Sequence, residues 1–176
     1  MASPNRLQRR LAQIEALPAF IRTWVRSKAL GRAVPLTGTV GLTYELMTPQ
    51  RVIVSMRNAK RARNHIGGVH AMASVLAAET ATGMIVGLCV RDDCSPVVKD
   101  VRLSFVKRGQ GAMRAEATLS HDQRELISST TKGETVVPVT ITDESGNQPI
   151  TCEFTWAWVP NQRQNQQIQI ASKVTP

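Results

Sequence analysis

The sequence predicts an α+β domain in which one long apolar helix is wrapped by a curved antiparallel sheet, with extra helices ahead of it. Three observations carry this. The stretch from His70 to Val90 is almost entirely small and apolar, and Glu79 is its only charged residue. Segments of alternating apolar and polar residues lie on both sides of it, the period of half-buried strands. Leu7, Leu11, Ile14 and Leu17 recur at spacings of three and four, the stripe of an amphipathic helix. A helix that is apolar nearly all round must be covered on most sides, and a sheet curved around it does that.

The elements follow in order. Ser3-Pro4-Asn5 supplies starting signals for the first helix, and Pro18 interrupts it. A second short helix is read with Ile21, Trp24 and Val25 inward and Arg22, Arg26 and Lys28 outward. The two helices are expected to pack over one end of the domain; weak contact of this basic helix with a membrane surface is the competing reading. Residues 40–46 and 51–57 read as strands joined by a turn at Met47-Thr48-Pro49-Gln50. After the long helix come strands near 98–107 and 111–120, joined by Arg108-Gly109-Gln110-Gly111. Ser120-His121-Asp122-Gln123 resembles a capping box opening a short helix. The last hairpin runs from Thr135 to Thr142, turns through Glu144-Ser145-Gly146-Asn147, and returns over Ile150 to Val159. Its second strand puts Ile150, Cys152, Phe154, Trp156 and Trp158 on one face, and at most four strands follow the long helix. The chain divides into a helical extension over 1–35, a domain over 36–160, and a polar tail over 161–176, expected to be poorly ordered.

Composition bounds the partners. With 176 residues, 42% hydrophobic and 20% charged, the chain reads as one globular domain with a real core. A net charge of +9 argues for an anionic partner: nucleic acid, a membrane surface or a phosphorylated ligand. Aromatic residues at 4% and the lack of a helix-turn-helix pattern argue against nucleic acid. Cys89, Cys94 and Cys152 are odd in number without paired spacing, which disfavours disulfides and zinc and points to a reducing, cytoplasmic setting. The start lacks the pattern of a secretory signal. The apolar stretch has about the length of a membrane span, but Glu79, Gly83 and Gly87 interrupt it, so a buried core helix is expected.

The segment Arg63-Asn64-His65-Ile66-Gly67-Gly68-Val69-His70 stands directly before the long helix. Free backbone N–H groups at a helix start make an anion or oxyanion site, and those of Ala71 and Met72 are the expected donors. Met72, Val75, Leu76, Glu79 and Val86 share one stripe of the helix, and a carboxylate on a buried stripe is costly unless it is paired or has a task. His65 is read as a loop residue and His121 as part of a cap, and Asn64 also suits a turn. Glu79 lies nine residues past His70, roughly 13 Å along the axis. One small reacting carbon cannot be reached from both, whereas two antiparallel copies of the helix would bring one chain's Glu79 to the other's helix start. A homodimer, or a dimer of dimers, with shared sites is therefore expected.

Asn64, five intervening residues, His70 and an acid nine residues later resemble the signature of hot-dog-fold acyl-CoA thioesterases, over roughly residues 36–159. The similar branches are the phenylacetate-pathway type and a related, largely uncharacterised bacterial group. The resemblance implies the hot-dog fold and hydrolysis of an acyl-CoA thioester, with coenzyme A as part of the substrate and no separate cofactor or metal. It implies Glu79 as nucleophile or general base, His70 and Asn64 positioning the thioester or water, and the Ala71 amide polarising the carbonyl. Gly68 and Met72 would border the substrate, while Lys60, Arg61 and Arg63, with Lys107 and Arg108, would hold the phosphates. The motif departs from His-Gly-Gly, reading His70-Ala71-Met72, and its acid is Glu rather than Asp. Two other functions stay open. One is a non-catalytic acyl-CoA-binding or regulatory protein; the other is a dehydratase or hydratase of the same fold, whose loop prolines are missing beside Gly67-Gly68.

Overall fold

The computed structural model describes residues 3–161, so the expected polar tail lies, apart from Asn161, outside the described residues. Helix α1 (Arg6–Glu15) opens with a capping box between Asn5 and Gln8. The Asn5 side chain also donates to the carbonyls of Gly87 (2.9 Å) and Val90 (2.7 Å). The start of α1 is thereby fastened to the far end of the long helix. Leu11 is buried and Leu7 and Ile14 pack beside it, as the apolar stripe predicts.

Helix α2 (Ala19–Ala33) is longer than expected and turned differently. Trp24 faces outward, 65% exposed, and Arg26 is only 3% exposed. The expected orientation of these two residues is therefore reversed. A third helix not expected from the sequence, α3 (Pro35–Val40), takes in Val40, the first residue of the expected strand over 40–46. Pro35 at its first position suits a helix start. Gly41, at φ +82°, ends it in the left-handed conformation that glycine adopts without strain.

Strands β1 (Thr43–Met47) and β2 (Arg51–Met56) form the expected hairpin. Helix α4 (Ala71–Gly87) follows, then β3 (Cys94–Phe105), β4 (Met113–Thr118) and α5 (His121–Ser129). The Ser120–Gln123 capping box opens α5 as read. Strands β5 (Gly133–Val137), β6 (Val139–Asp143) and β7 (Ile150–Pro160) complete a seven-stranded sheet in which six strands run in the order β1-β2-β4-β6-β7-β3 and the seventh, β5, pairs with β7. Five strands follow the long helix, not four, because Pro138 divides one run in two. The first half pairs with β7 and the second mainly with β4, and proline, having no N–H, suits the break between them.

The sheet curves round α4. Ala77, Ala78, Ala81, Ile85 and Val86 of the helix are buried with Val52, Val54, Ala115, Ala117 and Ile141 of the strands. Phe154, Trp156 and Trp158 close the core from β7 on the face predicted for them. The Trp156 indole N–H donates to Thr82 Oγ1 at 2.9 Å. A Cβ at Gly83 would stand 2.6 Å from the Trp156 ring, so glycine there lets β7 approach the helix. No helix among the described residues is long and apolar enough to cross a membrane.

Candidate active site

The loop before α4 is built by its own polar groups. Arg63 and Val69 bridge as an antiparallel pair, and the Asn64 N–H donates to the Gly68 carbonyl at 2.9 Å. Asn64 Oδ1 accepts from the N–H groups of Ile66 and Gly68, both at 3.1 Å. Gly67 takes a positive φ of 81° inside this turn. Asn64 thus uses its side-chain oxygen to shape the loop, and no hydrogen bond engages its Nδ2 among the described residues. The turn delivers the chain to α4, with the His70 N–H held by the Ala62 carbonyl at 2.7 Å.

His70 is the N-cap of α4 and its Nδ1 accepts from the Met72 N–H at 3.2 Å. An imidazole that accepts through Nδ1 has only Nε2 left to serve as a donor. Of the two expected backbone donors, Met72 is thus engaged by His70. The Ala71 N–H stays free among the described residues, at the positive end of a seventeen-residue helix.

Glu79 lies two and a half turns further on. The stripe that carries it is more open than expected: Val75 and Val86 are buried, but Leu76 and Glu79 are half-buried and Met72 is 54% exposed. No ion pair among the described residues includes Glu79. Burial pushes its carboxyl above the ordinary range, and the neighbouring Thr80 hydroxyl pulls the other way. That pull falls short of a well-aligned bond, because Thr80 Oγ1 is buried without a hydrogen-bond partner. Thr82 is no partner for the carboxylate: its hydroxyl donates to the backbone carbonyl of Ala78 and accepts from Trp156.

Tyr44 is a neighbour that sequence reasoning missed. It is fully buried on β1 and its hydroxyl donates to Thr37 Oγ1 at 3.2 Å. Burial raises its phenol pKa, the bond to Thr37 lowers it, and the charge of Glu79 raises it further. It is the only tyrosine in the chain, and its sole sequence signal was the alternation that marks the strand.

The basic residues divide by what they touch. Arg61 donates to the Val40 carbonyl at 3.1 Å and lies over Gly41, closing the end of α3. Arg63 is clamped on Asn58, at 2.8 Å from its carbonyl. Lys60 is exposed and makes no ion pair among the described residues. Arg108 reaches the Ile66 carbonyl at 3.2 Å and Lys107 the Asn147 side chain at 2.9 Å. Arg108 and Gly68 share a cleft of about 350 Å³ with Asn58, Ile66, Gly67 and the 109–111 turn. Buried Asp143 anchors that turn, accepting from the Gln110 N–H at 3.1 Å. No group of three or more His, Cys, Asp or Glu among the described residues could hold a metal. Burial pushes the Cys89 and Cys152 thiols up to about 11, so neither offers a thiolate near neutral pH.

Residues 22–159 match the family described as DUF4442, a domain of unknown function. The chain belongs to this family. Its fold is similar to that of a Pseudomonas aeruginosa protein of unknown function, PA5026, described as a probable thioesterase. That similarity has a TM-score of 0.68 at 22% identity, over 82% of this chain and 97% of the other. Thioesterase HI1161 from Haemophilus influenzae is similar at a TM-score of 0.62 and 16% identity, over 76% and 90% of the two chains. A thioesterase from Pseudomonas aeruginosa, PA1618, is similar at 0.61 and 20% identity, over 77% and 94%. No curated protein matches. This DUF4442 chain therefore has the hot-dog fold.

Proposed function

We propose that this DUF4442 protein hydrolyses an acyl-CoA thioester as a homodimer, or a dimer of dimers, with sites shared between protomers. The observation that carries the reading is Glu79: a half-buried carboxylate with no cation beside it, on the helix whose first residues leave the Ala71 N–H free. An idle charge there would cost stability, whereas a base or nucleophile must stay unpaired to work. In the proposed chemistry the Ala71 amide polarises the thioester carbonyl and His70 Nε2–H and Asn64 Nδ2 orient the thioester or water. Glu79 of the facing protomer takes a proton from the attacking water, or attacks directly to give an anhydride that water then opens. In either case the carbon–sulfur bond breaks, and the proton goes to the departing sulfur, releasing the free acid and the coenzyme A thiol. Carbonyl-to-amide polarisation of this kind is worth on the order of 10²–10³ in rate. Lys60, which has no partner among the described residues, and Arg108, which lines the cleft beside Gly68, are the cations best placed to meet coenzyme A phosphates, with Lys107, Arg61 and Arg63 each able to exchange a single protein acceptor for a phosphate. The dimer reading is supported by β3, a long edge strand with Val97, Val98, Val101 and Phe105 exposed, a surface that invites pairing.

The test is a turnover screen against short, long, branched and aromatic acyl-CoAs, repeated with Ala71→Pro. Proline is tolerated at the first position of a helix, and His70 already has the extended backbone that precedes it. The variant removes the proposed donor and should lose about 10²–10³ of turnover while staying folded. Binding of acyl-CoA without turnover of any member of the panel would identify a binding module instead.

A further inference from the structure

We infer that the outer face of α2 docks on an anionic membrane surface. By helical geometry Phe20, Trp24, Lys28 and Arg32 fall within an arc of about 120°. Phe20 is 85% exposed, and Val34 and Leu36 are exposed at the junction with α3. Aromatic residues at one end of a stripe and cations at the other suit the boundary between acyl chains and headgroups. From Ala16 to Tyr44 the sequence has Arg22, Arg26, Lys28 and Arg32 and no acidic residue. Lys28 and Arg32 form no ion pair among the described residues, so their charge faces outward uncompensated.

The fold holds this face out rigidly. The inner side of α2 is fixed by Arg26 and by Leu30 against the core, and Gly31 lies so close to Gly38 of α3 that a Cβ on Gly38 would clash. The helix packs along β1, at the opposite edge of the sheet from β3. The self-association proposed above uses the β3 edge, five strands along the sheet from β1, and leaves the α2 face open.

The experiment mixes the full chain with vesicles of phosphatidylcholine alone, or of equal parts phosphatidylcholine and phosphatidylglycerol, and follows co-sedimentation and tryptophan emission. Trp156 and Trp158 are buried, so Trp24 dominates any blue shift on docking. The full chain should bind only the anionic vesicles, release as salt rises, and show the blue shift. The double variants Phe20→Ser with Trp24→Ser, and Lys28→Glu with Arg32→Glu, should each weaken binding on the order of tenfold or more while keeping the far-ultraviolet spectrum. No binding to anionic vesicles, equal binding to neutral ones, or binding indifferent to both double variants overturns the inference. So does an oligomer of the wild type that the Phe20/Trp24 variant dissolves, since the occupant is then a second copy. Thioester turnover is measured alongside and should be unchanged in both variants, which separates failure of docking from failure of the proposed enzyme.

Discussion

Two buried or half-buried charges that both act on Tyr44 are treated in opposite ways. Arg26, on α2, is satisfied by three acceptors: its Nε donates to the Tyr44 carbonyl at 2.8 Å, and its two other nitrogens donate to the Glu45 carbonyl and the Glu15 carboxylate. Glu79, on α4, has no ion-pair partner among the described residues, and burial pushes its carboxyl up. Tyr44 stands between the two, its carbonyl held by Arg26 and its phenol felt by Glu79. A buried charge with every nitrogen engaged is a structural clamp, and removing it leaves orphaned partners. A carboxylate left without a cation costs stability whatever it does, so its presence there points to a task. The same criterion, burial without compensation, separates them with no reference to function.

The largest expected effect is on Glu79. Glu79→Gln should lower kcat/KM on a good acyl-CoA by about 10²–10⁴, with dimerisation and CoA-ester affinity kept. Its wild-type pH profile should show an acid limb above the ordinary carboxylate range, since the base must be ionised and its pKa is raised. Near-wild-type turnover would make Glu79 structural and remove the contrast with Arg26.

Arg26→Met comes next, and its effect should fall on stability. Loss of the clamp orphans two carbonyls, and Glu15, partly exposed, recovers some hydration, so chemical denaturation should show a loss of about 2–4 kcal/mol. A thermally stable Arg26→Met variant would mean that the clamp is dispensable.

A third expectation sharpens the sign. Glu79 has a raised folded pKa, so its contribution to stability is fully present below the unfolded pKa and is lost as pH rises through the folded one. Glu79→Gln should therefore match the wild type in acid and equal or exceed it in Tm near neutral pH. A variant less stable at neutral pH than in acid, relative to wild type, would point to a hidden partner for the carboxylate.

The smallest effect is expected at Trp24. Because its ring is exposed, Trp24→Ser should change stability by less than about 0.5 kcal/mol. A loss comparable to that of Arg26→Met would restore the inward orientation that composition suggests.

Much of the fold was legible before any coordinates. The charge-poor helix, the β1–β2 hairpin, the α5 capping box and the apolar face of β7 each rest on local periodicity or local side-chain bonds, which the chain carries wherever it goes. The residues of the candidate site were legible for the same reason: a loop rich in Asn and Gly before a helix start, and a lone acid on an apolar helix. Three features were not. The α3 helix ends on Val40, the first member of the Val40-Leu42-Tyr44-Leu46 alternation that reads as strand, and its short Pro-Leu-Thr-Gly-Thr run carries no helical stripe. The run through Pro138 divides because its halves pair with different partners. The openness of the Met72–Leu76–Glu79 stripe depends on where the sheet stops covering α4.

The plainest case is α2. Its sequence indicated a short helix with aromatic and basic positions, in a stretch from Ala16 to Tyr44 that holds Arg22, Arg26, Lys28 and Arg32 and no acid of its own. Which side turned inward was decided by tertiary structure alone. The ladder between β1 and β2 shifts between Tyr44 and Leu46, and the edge strand there offers the carbonyls of Tyr44 and Glu45 to a donor. Only a long guanidinium could reach both from α2, so Arg26 went in and Trp24, 200° or so around the helix, was left outside. Hydrophobicity is a property of the residue and can be read along the chain. The demand of an unpaired backbone carbonyl belongs to a neighbour distant in sequence, and exists only once the fold has brought the two together.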